Sequence, residues 1–243
     1  MEKDGLKSII CLTVLVCIVI KSFGQHKHFV KATWISLGYK EDSVMRPCPV
    51  FRRIFSTQKK IQSATVYITA HGIYEARLNQ KKVGDAYFTP GWTSYDKRLQ
   101  YQSYDVTNLL NKAKNTIELA ISDGWYKEEF GGDLKENRYG NQTALLLQLD
   151  IVYIDGTKET IVSDSSWQWS PGEIRYANFY NGEIDDTNTT PGNWTNVKRQ
   201  TSADIYLSDM ISSETKACGN IYYPHLFLRQ LPDTIFLRFL RIV

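Results

Sequence analysis

Acidic residues stand in several turn-like segments of this chain, where their carboxyl groups could do chemistry. Two carboxyl groups that face one substrate can act as general acid and general base. One of these residues, Asp123, precedes Gly124, and that pair is also typical of a turn in which the carboxylate accepts backbone N–H groups. We favour the turn interpretation for Asp123 and assign no catalytic residue. The acidic residues in such segments are Asp123, Glu128, Glu129, Asp133, Glu183, Asp185 and Asp186.

Aromatic residues next to glycines form a second group that could contact a ligand. Trp92, Trp125 and Tyr126 lie in segments that contain Gly91 or Gly124. An exposed aromatic ring can stack on a sugar, whose axial C–H bonds present an apolar patch. The alternative is that Trp92 and Trp125 close the ends of a β-structured core. The candidate ligand contacts are therefore Trp92, Asp123, Trp125, Tyr126, Glu183 and Asp185.

Metal and cofactor chemistry find little support in the sequence. The 4 histidines are scattered and include a lone His71, which is typical of a satisfied polar residue. Asp185, Asp186 and Asn188 could offer oxygen ligands to calcium, although an acidic solvated loop explains them as well. Neither a glycine-rich phosphate loop nor a nucleophile elbow is present. We expect no metal and no cofactor.

Composition limits the class of partner. The net charge is only +3, and lysine and arginine alternate with acidic residues, which argues against a nucleic-acid partner. Aromatic residues make up 13% of the chain, and tyrosine and tryptophan suit the half-buried surface of a sheet. The composition therefore favours a globular β protein.

Alternating apolar residues predict the elements that must hold these side chains. Strands are expected at 64–70, 74–78, 116–121 and 145–153, because apolar residues there recur at every second position. Asp155-Gly156 predicts a hairpin from the last of these strands into 158–162. One short connecting helix is expected at 107–113, with Asp105 or Thr107 as its N-cap. The pattern predicts an all-β, jelly-roll-like antiparallel sandwich.

The first residues read as a secretory signal peptide. An apolar run from Ile9 to Ile20 follows a lysine-containing start, and Ser22 and Gly24 supply small residues before a cleavage point at Gln25. That run is too short to cross a bilayer core of roughly 30 Å as a helix. We therefore predict a signal peptide at 1–24, no membrane span after its cleavage, and a periplasmic or extracellular protein. Cys48 and Cys218 would remain, either unpaired or joined in a disulfide.

A set of short motifs follows a fixed order between residues 33 and 198. These motifs are Phe51 to Phe55, Gly72 to Glu75, Leu78-Asn79, Val83 to Asp85, Pro90 to Arg98, Tyr101-Gln102, Asp123 to Tyr126, Asp164 to Trp167, Tyr180 to Asp186 and Trp194. Each motif is weak alone, but their order and spacing together are specific, and the set resembles the N-terminal β-sandwich region of bacterial α-L-rhamnosidases. Gln80 departs from the family pattern, which has glycine after Leu-Asn at this turn.

The resemblance implies a non-catalytic part of a glycoside hydrolase. The family's acid and base belong to an (α/α)₆ barrel, which would be missing from this chain. The implied partners are rhamnose-containing glycans or rhamnosides and that missing catalytic domain. The sandwich is expected at 25–200, and the apolar tail at 201–243 suggests truncation or a frameshift. Two alternatives stay open: a free-standing carbohydrate-binding module, and a remnant that folds poorly.

Overall fold

The computed structural model describes residues 28–38, 46–128, 136–179, 182–200 and 206–209. The expected signal peptide, Cys218 and all of the expected tail except 206–209 lie outside these residues, so those expectations stay predictions. The described strands are β1 (Ile35–Ser36), β2 (Pro49–Thr57), β3 (Ile61–His71), β4 (Ile73–Leu78), β5 (Lys81–Lys82), β6 (Arg98–Asp105), β7 (Ala113–Ser122), β8 (Ala144–Tyr153), β9 (Lys158–Val162), β10 (Gln168–Pro171), β11 (Ile174–Asn178), β12 (Gly182–Asp185), β13 (Thr195–Asn196), β14 (Lys198–Arg199) and β15 (Tyr206–Asp209).

Two sheets make a sandwich, which confirms the predicted fold class. The first sheet has the order β14-β1-β8-β3-β6-β15, with β9 also paired to β8. The second sheet has the order β13-β10-β2-β7-β4-β5. Strands β11 and β12 form a separate two-stranded hairpin. The pairings are antiparallel except that of β15, which runs parallel to β6 and extends the first sheet beyond residue 200.

The core lies between the two sheets and follows the period-two pattern. On β3, Val66 and Ile68 point inward and are fully buried. Strand β7 contributes Ile117, Leu119 and Ile121 to the same core. Because successive side chains of a strand point to opposite faces, the residues between these apolar ones lie on the outer faces of the sheets.

Helix is short in the described residues. The segment expected to be a two-turn helix is a single 3₁₀ turn, Thr107–Leu109, because the chain turns at Leu110 and enters β7 at Ala113. Its N-cap is Val106, although the Asp105 carboxylate does accept a hydrogen bond from the Thr107 N–H at 2.9 Å. A second single turn, α1 (Gly124–Lys127), follows β7.

Two tight turns set the strand register. Asp155-Gly156 joins β8 to β9 as predicted, and Gly156 has φ +80°. The turn between β4 and β5 holds Asn79 at φ 52° and Gln80 at φ 67°. Both residues therefore take the left-handed conformation, which Asn tolerates and Gln does not favour. The family-pattern glycine that Gln80 replaces thus falls at a position where the backbone requires positive φ.

Candidate functional site

Two neighbouring regions collect the candidate ligand contacts. The first, called here the aromatic end, consists of Phe88, Trp125 and Phe179, from the β5–β6 loop, α1 and the β11–β12 turn. The second, called here the cleft, is a cavity of about 390 Å³ between the outer face of the second sheet and the β11–β12 hairpin. Its volume falls in the range of small-molecule sites.

Gly124 and Asp123 determine how α1 begins. Gly124 has φ +49°, and a Cβ there would lie 2.5 Å from the Ile73 side chain, so glycine is required. The Asp123 side chain makes no capping hydrogen bond to α1, contrary to the turn interpretation. Its carboxylate instead pairs with the Arg46 guanidinium and with the Lys127 ammonium, the latter at 3.1 Å. Lys127 is 0% exposed, and a buried ammonium requires such a counter-charge.

Glu128 ends α1 and reaches a second element. Its side chain is buried, and its two carboxyl oxygens accept hydrogen bonds from the Gly124 N–H at 3.0 Å and the Phe179 N–H at 2.8 Å. Burial raises the pKa of Glu128 to about 7, and the nearby Asp123 charge adds to the rise. The two N–H donors and Arg46 oppose it. Glu128 is therefore a carboxyl group that titrates near neutral pH while it joins α1 to the β11–β12 turn.

Aromatic contacts hold the aromatic end together. Trp125 lies 4.6 Å from Phe179 and 5.8 Å from Phe88, measured between ring centroids. Phe88 has φ 56°, a backbone conformation that costs free energy unless the surroundings fix it. Trp92, on the same loop as Phe88, is 55% exposed, so its indole does not close the sandwich. Phe88, Trp125 and Phe179 are half-buried, so the aromatic end presents apolar ring surface to solvent.

Tyr126 and His71 lie beneath this surface. Tyr126 is only 7% exposed, and its ring stacks on His71 at 4.5 Å. Trp34 stacks near His71 as well, at 4.1 Å between centroids. Neither ring nitrogen of His71 has a hydrogen-bond partner among the described residues, which differs from the expected satisfied histidine. Burial lowers the pKa of His71 to about 4.

The cleft is built on outward-facing positions of β4, β7 and β12. Glu75 and Arg77 of β4 lie beside Glu118 and Ala120 of β7, because the register pairs Arg77 with Glu118 and Glu75 with Ala120. The Glu75 carboxylate pairs with Arg77 at 2.7 Å and with Lys82 at 3.6 Å. The lining residues of the cleft thus include more carboxylates than cations. Its other lining residues are Cys48, Val50, Gln80, Gly172, Glu173, Ile174, Glu183, Asp185 and Pro191.

The β11–β12 hairpin is the roof of the cleft and is bonded at both ends. At its base, the Cys48 N–H donates to the Ile174 oxygen at 2.8 Å, and the Gly172 N–H donates to the Cys48 oxygen at 2.9 Å. At its turn, the Phe179 N–H donates to Glu128. Cys48 is buried in this arrangement, and Cys218 lies outside the described residues, so both alternatives for the two cysteines stay open.

The predicted contact residues divide between the two regions. Asp123, Trp125 and Tyr126 lie at α1, and Trp92 lies on the adjacent loop. Glu183 and Asp185 line the cleft instead. Sequence reasoning missed Glu75, Arg77 and Glu118, although the alternation in β4 and β7 predicts that they face outward. It gave no signal for the roof hairpin or for the Glu128 contact with Phe179, which join segments distant in the chain.

The described residues offer no group of three or more histidine, cysteine, aspartate or glutamate side chains placed to hold a metal ion. Asp186 accepts hydrogen bonds from the Asn188 N–H at 3.1 Å and the Thr189 hydroxyl at 2.6 Å. These bonds lower the pKa of Asp186. Over the same part of the chain, each helix is too short or too polar to span a membrane.

Comparison with known proteins matches this sandwich to one family. The sequence profile of the family described as "Alpha-L-rhamnosidase N-terminal domain" matches residues 59–214. An alpha-L-rhamnosidase of Streptomyces avermitilis is 41% identical over 137 residues, which are 56% of this chain and 13% of that protein. An alpha-L-rhamnosidase of Formosa agariphila is 33% identical over 174 residues, 68% of this chain and 19% of that protein. The chain spans less than a fifth of the length of these relatives.

Solved structures show the same similarity. The native alpha-L-rhamnosidase of Aspergillus terreus superposes with a TM-score of 0.69 at 34% identity, over 74% of this chain and 22% of that one. The Streptomyces avermitilis alpha-L-rhamnosidase, solved in complex with L-rhamnose, superposes with a TM-score of 0.62 at 36% identity. That superposition covers 66% of this chain and 16% of the other.

Proposed function

Because this chain belongs to the α-L-rhamnosidase N-terminal domain family, we propose that it is an exported, non-catalytic accessory domain of an α-L-rhamnosidase-like glycoside hydrolase. The reaction of the whole enzyme would be hydrolysis of terminal α-L-rhamnose from rhamnosides. In that setting the sandwich would pack against a catalytic domain and border its substrate cleft. The partners are a rhamnose-containing glycan and that catalytic domain.

The observation that carries this proposal is that the carboxyl groups at α1 are already engaged. Asp123 pairs with Arg46 and Lys127, and Glu128 accepts two backbone N–H groups. A general acid or base needs hydrogen-bond reach to the substrate, directly or through one water. Carboxylates used in this way stabilise the local structure and are poor candidates for a catalytic pair.

The aromatic end supports a contact role. The rings of Phe88 and Trp125 are half-buried and in contact, and Trp92, on the same loop as Phe88, is exposed. Tryptophan is among the residues that contribute most to protein interfaces, and exposed apolar patches mark contact sites. This surface can meet a catalytic domain or the glycan that such a domain holds.

A hydrolysis assay tests the non-catalytic role. The purified chain is incubated with an aryl α-L-rhamnoside, beside the double variant Glu183→Gln with Asp185→Asn, which removes two cleft carboxylates. We expect both proteins to release product at the rate of buffer alone. Turnover by the natural chain that the double variant lacks would refute the proposal, because it would assign the chemistry to the cleft.

A second candidate is a free-standing carbohydrate-binding module, and the cleft favours it. A cavity of about 390 Å³ with several carboxylates in its lining can admit a sugar ring and offer those carboxylates to its hydroxyl groups. Calorimetry with L-rhamnose tests this function. A saturable binding heat would support this function if Glu183→Gln weakens the binding and the exposed control Asp96→Asn leaves it unchanged. The absence of any binding heat at millimolar sugar would contradict this function.

Export has its own test. We expect protein recovered outside the producing cell to begin at Gln25, because Ser22 and Gly24 supply the small residues before that cleavage point. N-terminal sequencing or intact mass of the recovered protein decides this. A protein that keeps Met1 and stays with the cells would contradict the proposal.

A further inference from the structure

The floor of the cleft joins an apolar pair of side chains to a group of charged ones. Val50 of β2 pairs with Ala120 of β7, and Ala120 pairs with Glu75 of β4, so these three lie in one row on the outer face of the second sheet. Two positions away on the same strands, Glu118 pairs with Arg77. Neighbouring strands are about 4.8 Å apart, and residues two positions apart on one strand are about 7 Å apart. One bound hexose can therefore touch the apolar and the charged side chains together.

The base of the roof adds to the apolar part of the cleft. Ile174 of β11 lines the cleft and is 9% exposed. Gly172 lies against Val50, because a Cβ at Gly172 would come within 3.0 Å of a Val50 methyl group. Within the hairpin, Ile174 pairs with Asp185 of β12, which also lines the cleft. The roof therefore sets an apolar side chain beside a carboxylate, as the floor does.

We propose that the cleft binds a 6-deoxyhexose, and that Val50, Ala120 and Ile174 contact its methyl group. This inference rests on the proposed use of the cleft for a saccharide. The lining carboxylates would accept hydrogen bonds from the ring hydroxyls, since an ionised carboxylate is an acceptor only. The methyl group gains free energy when it leaves water for an apolar contact. An ordinary hexose would instead bury a hydroxyl against the same apolar side chains, which costs free energy unless that hydroxyl finds a partner.

The charges of the cleft favour a neutral sugar over an acidic one. Arg77 is the arginine of the lining, and it pairs with the Glu75 carboxylate at 2.7 Å. Glu75 also pairs with Lys82 at 3.6 Å. A sugar carboxylate would meet further carboxylates, and like charges in one site repel each other. Those further lining carboxylates are Glu118, Glu173, Glu183 and Asp185.

Calorimetry with two matched sugars tests the preference in the full chain. L-Rhamnose and L-mannose share the configuration of the ring and differ at C6, which is a methyl group in L-rhamnose and a hydroxymethyl group in L-mannose. We expect L-rhamnose to bind roughly tenfold more tightly, the low end of what an apolar site gives against such a change, because Val50 and Ala120 are only half-buried. Equal affinities would overturn the preference. Saccharide binding in the cleft would still stand if Glu183→Gln weakened both sugars alike.

Two substitutions on β2 assign the preference to the floor of the cleft. Val50→Thr keeps the branched shape and replaces a methyl group by a hydroxyl, so the two affinities should become nearly equal. Ile54→Thr is the matched control. Ile54 lies on the same strand and the same outer face, is 44% exposed and is not a lining residue of the cleft. It should keep the preference. A preference that Val50→Thr leaves unchanged would overturn the assignment of the methyl contact.

Saturation-transfer NMR on the natural chain decides the contact even if Val50→Thr does not fold. Initial build-up rates are compared, because they remove differences in proton relaxation. We expect the methyl protons of L-rhamnose to receive more saturation than its ring protons. The reverse order would overturn the methyl contact. The absence of binding by either sugar at millimolar concentration would overturn both the preference and saccharide binding in the cleft, whereas the accessory role is decided by the hydrolysis assay.

Discussion

At the scale of single residues, His71 places two hydrogen-bonding nitrogens where the described residues give them no partner. The ring lies between Trp34 and Tyr126, so it packs as an apolar aromatic would. The pKa of His71 is lowered to about 4 in the folded protein, whereas the unfolded chain protonates this histidine near pH 6.5. His71 contributes stability above that pH, and the contribution is lost as the pH falls towards 4.

We predict that His71→Phe stabilises the protein in acid. Phenylalanine keeps the stack and removes the protonation, so the gain in unfolding free energy should grow from pH 6.5 to pH 4. It should reach about 3 kcal/mol, at about 1.4 kcal/mol for each unit of pKa difference. Urea denaturation at several pH values measures it. A difference between the two proteins that stays constant with pH would contradict this account.

Gln80 takes a left-handed backbone conformation, which residues with a Cβ disfavour. It has φ 67° in the turn between β4 and β5. We predict that Gln80→Gly raises the free energy of unfolding by about 0.5–1 kcal/mol, since glycine takes this conformation without steric cost. Thermal denaturation checks the gain. Asn79→Gly is the matched control and should destabilise, because Asn79 donates hydrogen bonds to the Leu109 oxygen and the Asn115 side chain at 2.8 Å each.

At the scale of elements, Asn115 ties the 3₁₀ turn to the strands beside it. Its amide group donates to the Thr57 hydroxyl at 3.1 Å and to the Asn111 oxygen at 3.0 Å. Its side-chain oxygen accepts from the Asn111 N–H at 2.7 Å. The chain from the 3₁₀ turn into β7 is therefore fixed by one buried amide rather than by helix propensity. This explains why the segment 107–113 makes one turn instead of two.

We predict that Asn115→Ala costs about 1–3 kcal/mol, because it leaves buried backbone groups without their partner. Chemical denaturation measures the loss, and Lys114→Ala on the same strand is the control. Lys114 is exposed, so its substitution should stay within about 0.5 kcal/mol. Equal effects of the two substitutions would show that the amide network does not hold this connection.

The sequence predicted the strands better than it predicted their partners. Apolar alternation identified β3, β4, β7 and β8, because a strand with one face in the core must repeat with period two. It identified the β8–β9 hairpin because Asp155-Gly156 is a local signal. The parallel pairing of β15, the roof hairpin and the Arg46–Asp123 ion pair join distant segments, and no local pattern encodes such pairings. For the same reason, the sequence did not show that the predicted ligand contacts lie in two separate regions, α1 with its neighbouring loop and the cleft.

At the scale of the whole molecule, two buried titratable groups act on stability in opposite directions. Glu128 has a raised pKa, so its contribution to the free energy of unfolding is present below pH 4.5 and is lost as the pH rises through 7. His71 has a lowered pKa and loses its contribution as the pH falls below 6.5. Between pH 4.5 and 6.5 these two dependences offset each other.

We predict that Glu128→Gln makes the protein's stability rise more steeply with pH between 4.5 and 7, since only the His71 dependence remains there. The added slope corresponds to about 3 kcal/mol over the window. The introduced side-chain amide still accepts one of the two N–H groups through its oxygen, so the variant should fold. Unfolding free energies in a pH series check this result. A profile parallel to that of the natural chain would contradict the assignment of the buried proton to Glu128.

The turn between β8 and β9 has a practical consequence. Its residues from Ile154 to Lys158 are exposed, and a Cβ at Gly156 would meet nothing within 4 Å. Lys59 and the Thr157 N–H donate to the Asp155 carboxylate, and the Gly156 N–H donates to the Tyr153 oxygen at 2.9 Å, so the turn is held by its own local bonds. A short epitope or a fluorophore-binding tag spliced between Asp155 and Gly156 should therefore be tolerated. Such an insertion would let the protein be followed on a polysaccharide while both candidate surfaces remain unencumbered.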